Sequence, residues 1–355
     1  MLFIDAGVHF STNPDGLSRY TVEMIRSLTS KNRTSFQFVE RRGMEYFVLG
    51  SDSKKSSARM LDVVQEKDVL FLPGLDVGIS DAFTQLSALK QKGVKIYSLL
   101  ADIIGIENPE FFPLGNDRNL LEYFGNLNVI CDALVVPSNH VKNRLILFQL
   151  RNGLNFPEIV IGYPGNDHLE RIEADQVKFD YPYLLYVSTI EPRKQHLKLI
   201  DAFLLSSLPE KGYKLHLIGK MGWLNPRERR VFESLVRSPS VKHFSNANDS
   251  LLKGQMLESQ ALIMCSLDEG YGLSLMEAAF LNKPILCSDI KVFREITDGK
   301  ATFFDPTCVN LTESLNNFVA NLEQGTQVEP PTQIARSRTW DALTDVWIGL
   351  LNPQS

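Results

Sequence analysis

Apolar and polar positions along this chain fall into two alternating series. In the first, short apolar runs rich in β-formers occur at Leu2–Ile4, Phe36–Val39, Tyr46–Leu49, Val69–Leu72, Val94–Leu100, Ala133–Val136 and Ile159–Ile161. Amphipathic spacing over 17–30, 81–92, 117–128 and 139–150 predicts helices between them. A second series opens at 183–187 and continues with runs at 215–218, 241–244, 261–265, 285–287 and 302–304. Its predicted helices cover 195–206, 226–237, 249–259, 273–282 and 311–323. In the first of these, Leu197, Ile200, Phe203 and Leu204 share one face, as a helix lying on a sheet requires. Near-continuous apolar strands alternating with such helices predict parallel sheets covered on both faces.

The polar stretch from Gly165 to Pro182 carries seven charged side chains and reads as a linker. A Gly/Pro/Thr-rich stretch over 324–333 reads as a loop. After it, Trp340, Leu343, Val346, Trp347 and Leu350 stand at helical spacing within 336–351. The boundaries expected are therefore 1–165 together with 336–355, a linker over 166–182, and a second domain over 183–335. A chain of 355 residues is long enough for two such domains.

Composition narrows the class. With 44% hydrophobic and 22% charged residues, the chain has the balance of a globular protein with a full core. Its net charge of −5 argues against a general nucleic-acid partner. No apolar run reaches the ~18 residues that span a bilayer, and the start lacks the basic and long apolar regions of a secretory signal. Cys131, Cys265, Cys287 and Cys308 lie far apart, without CxxC or metal-ligand spacing, and read as small buried hydrophobes. The expectation is a cytoplasmic protein, with association to the inner face of a membrane left open.

The stretch from Cys265 to Ala278 carries the most chemistry. A strand ends near Cys265 and a helix begins near Leu273, with Gly270-Tyr271-Gly272 at the turn. Glycines there let backbone amides approach a ligand, and a helix start favours a phosphate. Glu269 lies before the helix and Glu277 about one turn inside it, so the two carboxylates can accept hydroxyls from two ends of an elongated ligand. A turn with solvated glutamates accounts for the same spacing. Arg193 and Lys194 follow a strand directly, where two cations can neutralise a diphosphate, or form a solvated pair at a helix start. Gly219-Lys220 follows the next strand but lacks the earlier glycine and the Ser/Thr of a phosphate-binding Walker loop. Gly270-Tyr271-Gly272 lacks the third glycine of a dinucleotide fingerprint, since Leu275 stands in that place. The six histidines form no zinc motif, and no Asp-x-Asp pair occurs. A site free of metal and cofactor is the expectation.

The stretch 265–278 resembles the E-x7-E segment of the family 4 retaining glycosyltransferases. Further likeness lies in 283–289, in Phe304-Asp305-Pro306, in Glu191-Pro192-Arg193-Lys194 and in Asp15-Gly16-Leu17-Ser18-Arg19-Tyr20. The turn Gly219-Lys220-Met221-Gly222-Trp223 is similar to one common in mannosyltransferases of bacterial polysaccharide assembly. The resemblance is dense over about 183–306 and patchy elsewhere. It implies the GT-B fold, two facing Rossmann-like doubly wound α/β domains with a C-terminal helix crossing back to the N-terminal one. It implies transfer of a hexosyl unit, mannosyl from GDP-mannose as the first choice, to a glycan or lipid-linked acceptor. Glu277 would then bind the ribose, Glu269 the donor sugar, and Arg193 with Lys194 the diphosphate. Amides of Gly270, Tyr271, Gly272 and Leu273 would serve sugar and phosphates, with Gly219 and Lys220 beside the nucleotide. Gly7 and Gly16 would face the diphosphate from the first domain, or serve only as turn residues. Asp102 would orient an acceptor hydroxyl or the donor sugar, or merely order its loop. Ala101 stands where many members carry histidine, which leaves room for a non-catalytic nucleotide-sugar binder, and an epimerase on the same two-domain fold is a further alternative. His9 ends the first strand and reads as structural, while Ser138 reads as a helix N-cap.

Overall fold

A computed structural model describes residues 1–6, 16–30, 34–49, 58–73, 79–113, 115–154 and 157–351. Gly7 and His9 lie outside the described residues. The chain divides into two compact units, one built from Met1–Glu110, Leu114–Gly165 and the chain from Trp340 on, the other from Phe111–Pro113 and Asn166–Thr339.

Among its described residues the first unit has eight strands: β1 Leu2–Asp5, β2 Phe36–Arg42, β3 Glu45–Val48, β4 Ala58–Arg59, β5 Val69–Leu72, β6 Lys95–Leu99, β7 Ala133–Val136 and β8 Glu158–Ile161. They lie in the order β4-β3-β2-β1-β5-β6-β7-β8, parallel except where β3 pairs with β2 and β4. The strands β1, β5 and β7 are buried at every position, which is why β5 and β7 read as unbroken apolar runs and β1 does so up to Asp5. The helix Trp340–Leu351 belongs to this unit's core. Trp347 Nε1 donates to the Tyr20 hydroxyl at 3.1 Å, and the Trp347 ring meets Phe71 at 4.1 Å. Burying two tryptophans here contributes much of what holds the C-terminal segment in place. Ser138 caps Asn139–Asn152 as expected, its Oγ accepting from Val141 N at 3.2 Å.

The second unit has six strands, all parallel: β9 Tyr183–Val187, β10 Lys214–Ile218, β11 Val241–Phe244, β12 Ala261–Met264, β13 Ile285–Ser288 and β14 Thr302–Phe304. Their order is β11-β10-β9-β12-β13-β14. The chain therefore leaves β9 toward β10 on one side and returns to β12 on the other. Connections diverge at that point, beyond the carboxyl ends of β9 and β12, where open α/β sheets bind their ligands.

The segment 166–182 is not uniformly exposed. Asn166, His168 and Leu169 are buried in the second unit, with His168–Arg171 forming a short helix. The closing amphipathic stretch is broken into Thr332–Ser337 and Trp340–Leu351. Among the described residues, no helix is long and apolar enough to cross a membrane.

Candidate active site

The loops leaving β9 and β12 meet at the switch point of the second sheet. Pro192–Lys194 forms a single 3-10 turn after β9. It is held from below by Tyr186, whose hydroxyl donates to the Lys194 carbonyl at 2.7 Å. It is held from the side by Leu267 N, which donates to the Arg193 carbonyl at 2.9 Å. Gln195, in the left-handed region at φ 53°, sends Nε2 to the carbonyls of Cys265 and Pro306 at 2.8 and 2.7 Å. These bonds fix the backbone that carries both cations before any ligand is present.

Onto that frame the structure brings Arg193, Lys194 and Glu269 together, and adds Glu191. Arg193 Nη1 donates to Glu269 Oε2 at 2.8 Å and to the Asp268 carbonyl at 2.5 Å, while Nη2 donates to Glu191 Oε1 at 2.7 Å. Lys194 Nζ donates to Glu269 Oε1, which also accepts from Ser266 Oγ at 2.6 Å. The Arg193 and Lys194 side chains are only 11% exposed and that of Glu269 is 9% exposed. The set is formally neutral, two cations against two carboxylates. Burial alone would raise the Glu269 carboxyl, but Lys194 and then Arg193 outweigh it and hold it at about 2. Burial also depresses the Lys194 ammonium, Arg193 adds to that, and the two glutamates pull the other way. Glu191 is pushed up by burial, with Arg193 opposing.

Glu277 lies in the helix Leu273–Phe280 and is buried. Its Oε1 is 3.1 Å from Nε2 of His168, itself buried. Tyr271 is buried and its hydroxyl accepts from Arg338 Nη1 at 3.1 Å. Leu273 opens the helix after Gly272, with Gly270 in the preceding turn.

Three of the glycines have clear structural explanations. Gly272 takes φ 107°, and a Cβ there would sit 2.7 Å from the Phe293 ring. Gly219 takes φ 150°, and a Cβ would come within 1.9 Å of the Ser188 carbonyl. Gly222 would place one 2.7 Å from the Ile190 carbonyl. Glycine is required at Gly219 and Gly222 because the β10 loop packs directly on the backbone leaving β9, and at Gly272 because the turn is left-handed and lies against the Phe293 ring. Lys220 extends that contact, its carbonyl accepting from Ile190 N at 3.0 Å.

Asp102 and Gly16 belong to the first unit. Asp102 Oδ1 accepts from Ile104 N at 2.9 Å, ordering the loop after β6. Gly16 begins the helix Gly16–Ser30, and no described atom lies within 4 Å of where a Cβ would sit.

Sequence reasoning gave no role to Glu191, Ser266, His168 or Arg338. The first two stand within three residues of named candidates, so a search for partners of Arg193 and Glu269 would find them. His168 and Arg338 have no such signal, because each meets its partner across more than sixty residues.

Residues 170–330 match the family described as Glycosyl transferases group 1. The chain is 31% identical over 284 residues to the serotype-specific mannosyltransferase WbdA of Escherichia coli, a match covering 73% of this chain and 34% of that protein. It thus spans about a third of that relative's length. Among solved structures it resembles Anabaena Alr3699/HepE in complex with UDP-glucose, with a TM-score of 0.71 at 13% identity, covering 99% of each chain. It also resembles sucrose-phosphate synthase (tll1590) from Thermosynechococcus elongatus, with a TM-score of 0.69 at 14% identity, covering 99% of this chain and 97% of that one. The fold is GT-B. That architecture agrees with the two Rossmann-like units and the return of the C-terminal helix to the first.

Proposed function

We propose that this chain is a retaining hexosyltransferase that takes mannose from GDP-mannose and passes it to a hydroxyl of a glycan or lipid-linked acceptor. The observation that carries the reading is the Glu269 carboxylate held between Arg193 and Lys194 at the switch point of the second sheet. Support for the sugar comes from the mannosyltransferase relative, and support for the retaining course from the E-x7-E resemblance.

In this reading Glu269 accepts hydroxyls of the donor sugar, and Glu277 accepts those of the ribose. A guanidinium has five N–H donors and an ammonium three, so Arg193 and Lys194 can serve Glu269 and a diphosphate together. As the bond from sugar C1 to the phosphate oxygen breaks, charge develops on the diphosphate, and these two cations stabilise it without a metal. A new bond joins C1 to the acceptor oxygen, GDP leaves, and the acceptor proton passes to the departing phosphate or to solvent. The first-turn amides of Leu273–Phe280 present the positive end of a helix toward the same loop. Gly219 and Lys220 flank the nucleotide, and Gly7, Gly16 and Asp102 serve from the first unit. The acceptor chemistry fits work in the cytoplasm at the inner face of a membrane.

Incubation with labelled GDP-mannose, UDP-glucose and mannose-ended acceptors tests the reading. Transfer with the donor's anomeric configuration kept is the expected result, and no transfer with no nucleotide release overturns it. Ala101, where histidine is common in the resembling family, favours a second reading in which the nucleotide sugar binds without turnover. Tight binding of GDP-mannose with neither transfer nor hydrolysis would select that reading. Conversion of the donor without acceptor would select an epimerase.

A further inference from the structure

Glu277 and His168 face each other at the heart of the second unit. Their residues are 3% and 1% exposed, and Nε2 of one lies 3.1 Å from Oε1 of the other. Where Glu277 is ionised its carboxylate can only accept, and the donor is then Nε2 of His168. We propose that His168 is a positioning residue for Glu277, fixing the carboxylate in the orientation that receives the ribose hydroxyls of a nucleoside diphosphate. This rests on the ribose role given to Glu277 above.

The turn that presents the imidazole is tied down on both sides. Before it, Asn166 donates from its backbone N to the Arg338 carbonyl at 3.0 Å and from Nδ2 to the Ala335 carbonyl at 3.1 Å. After it, Lys253 Nζ donates to the carbonyls of Leu169 and Ile172 at 2.8 and 2.7 Å. Arg338 also reaches the Tyr271 hydroxyl at 3.1 Å, so the same anchored chain steadies the loop that leads to Glu277.

Packing alone gives little reason for the pair. Met276, Ala278 and Ala279, around Glu277 in its helix, are fully buried and apolar. A buried carboxylate with its hydrogen-bond partner usually stabilises no better than apolar side chains of the same volume, because desolvation offsets the attraction. A carboxylate kept there and oriented by a second residue is suited to recognition, since a group fixed beforehand loses less freedom on binding.

Calorimetric titration with GDP and 2′,3′-dideoxy-GDP tests this, with UDP and its dideoxy form run in parallel. The wild type should favour the ribose-bearing nucleotide by about tenfold or more, the usual effect of hydrogen bonds to a charged group. Glu277→Gln and His168→Leu should each bring the ratio close to one. His168→Gln, whose amide N–H can reach the place of Nε2, should recover most of it. A wild-type ratio in His168→Leu, with the ratio lost in Glu277→Gln, overturns the positioning role while leaving the ribose role intact. A wild-type ratio in Glu277→Gln overturns the ribose role itself. Should His168→Leu not fold, His168→Asn, too short to reach Glu277, takes its place. Recovery by Gln and not by Asn supports the proposal, and equal ratios in the two overturn it.

Discussion

Arg193 Nη1 lies 2.8 Å from Glu269 Oε2, joining the loop that leaves β9 to the loop that leaves β12. The two strands are neighbours in the sheet but stand far apart in the chain, with β10 and β11 between them. The sheet order therefore creates the pair. With Lys194 and Glu191 it forms a buried set in which each charge is held by another.

Removing one cation from that set should damage both catalysis and folding. Arg193→Ala or Lys194→Ala should lose about 2–4 kcal/mol of transition-state stabilisation, read as a fall in kcat/KM. Either change also leaves Glu269 short of a partner, so urea unfolding should show a loss of about 3 kcal/mol. Combining Arg193→Ala with Glu269→Gln should cost less than the sum of the single changes. Near-wild-type rates in both alanine variants would refute the diphosphate role.

Acid should weaken the fold in two stages. His196 is depressed to about 3 by burial, then by Lys194 and His243, and it stacks on Tyr186 with Nε2 3.1 Å from Ser188 Oγ. A depressed histidine stays neutral while the unfolded chain takes up a proton, so its contribution is whole above about 6.5 and is lost as pH falls toward about 3. His216, depressed to about 4 by burial, acts in the same sense. The Glu269 contribution is whole above about 4.5 and is lost as pH falls through about 2. Glu191, raised by burial, works in the opposite sense. His196→Phe should therefore show a smaller drop in Tm between pH 7 and pH 5 than the wild type. An identical drop would exclude His196 as a cause.

The Gly219 backbone separates packing from ligand contact. Gly219→Ala forces a Cβ to within 1.9 Å of the Ser188 carbonyl at a φ of 150°. It should destabilise the protein by about 2 kcal/mol or more, measured by urea unfolding. Wild-type stability with weakened nucleotide binding would show that Gly219 matters to the ligand and not to the fold.

A site that relies on Arg193 and Lys194 should not depend on added metal. EDTA should leave transfer intact, and complete loss restored by manganese would contradict the metal-free proposal.

Much of the architecture is legible in the chain because a parallel strand covered on both faces must be apolar throughout. Val69–Leu72 and Ala133–Val136 are plain on that ground and are strands in the structure. The last helices are less plain, since Trp340 and Trp347 mark a buried face but do not reveal the break at Arg338 and Thr339. The charged residues near His168 make its surroundings read as solvent-exposed linker, whereas in the structure it is buried against Glu277. Gly219 shows the same limit: a glycine after a strand suggests a ligand, whereas here the Ser188 carbonyl demands it. Arg193 and Lys194 could be read as cations near a site, but their shared partner Glu269 follows from the order of strands.

A crystal structure of the protein with GDP-mannose tests the central claim most directly. The prediction is a diphosphate beside Arg193 and Lys194, with sugar hydroxyls on Glu269 and ribose hydroxyls on Glu277. A nucleotide bound away from all four side chains would contradict it.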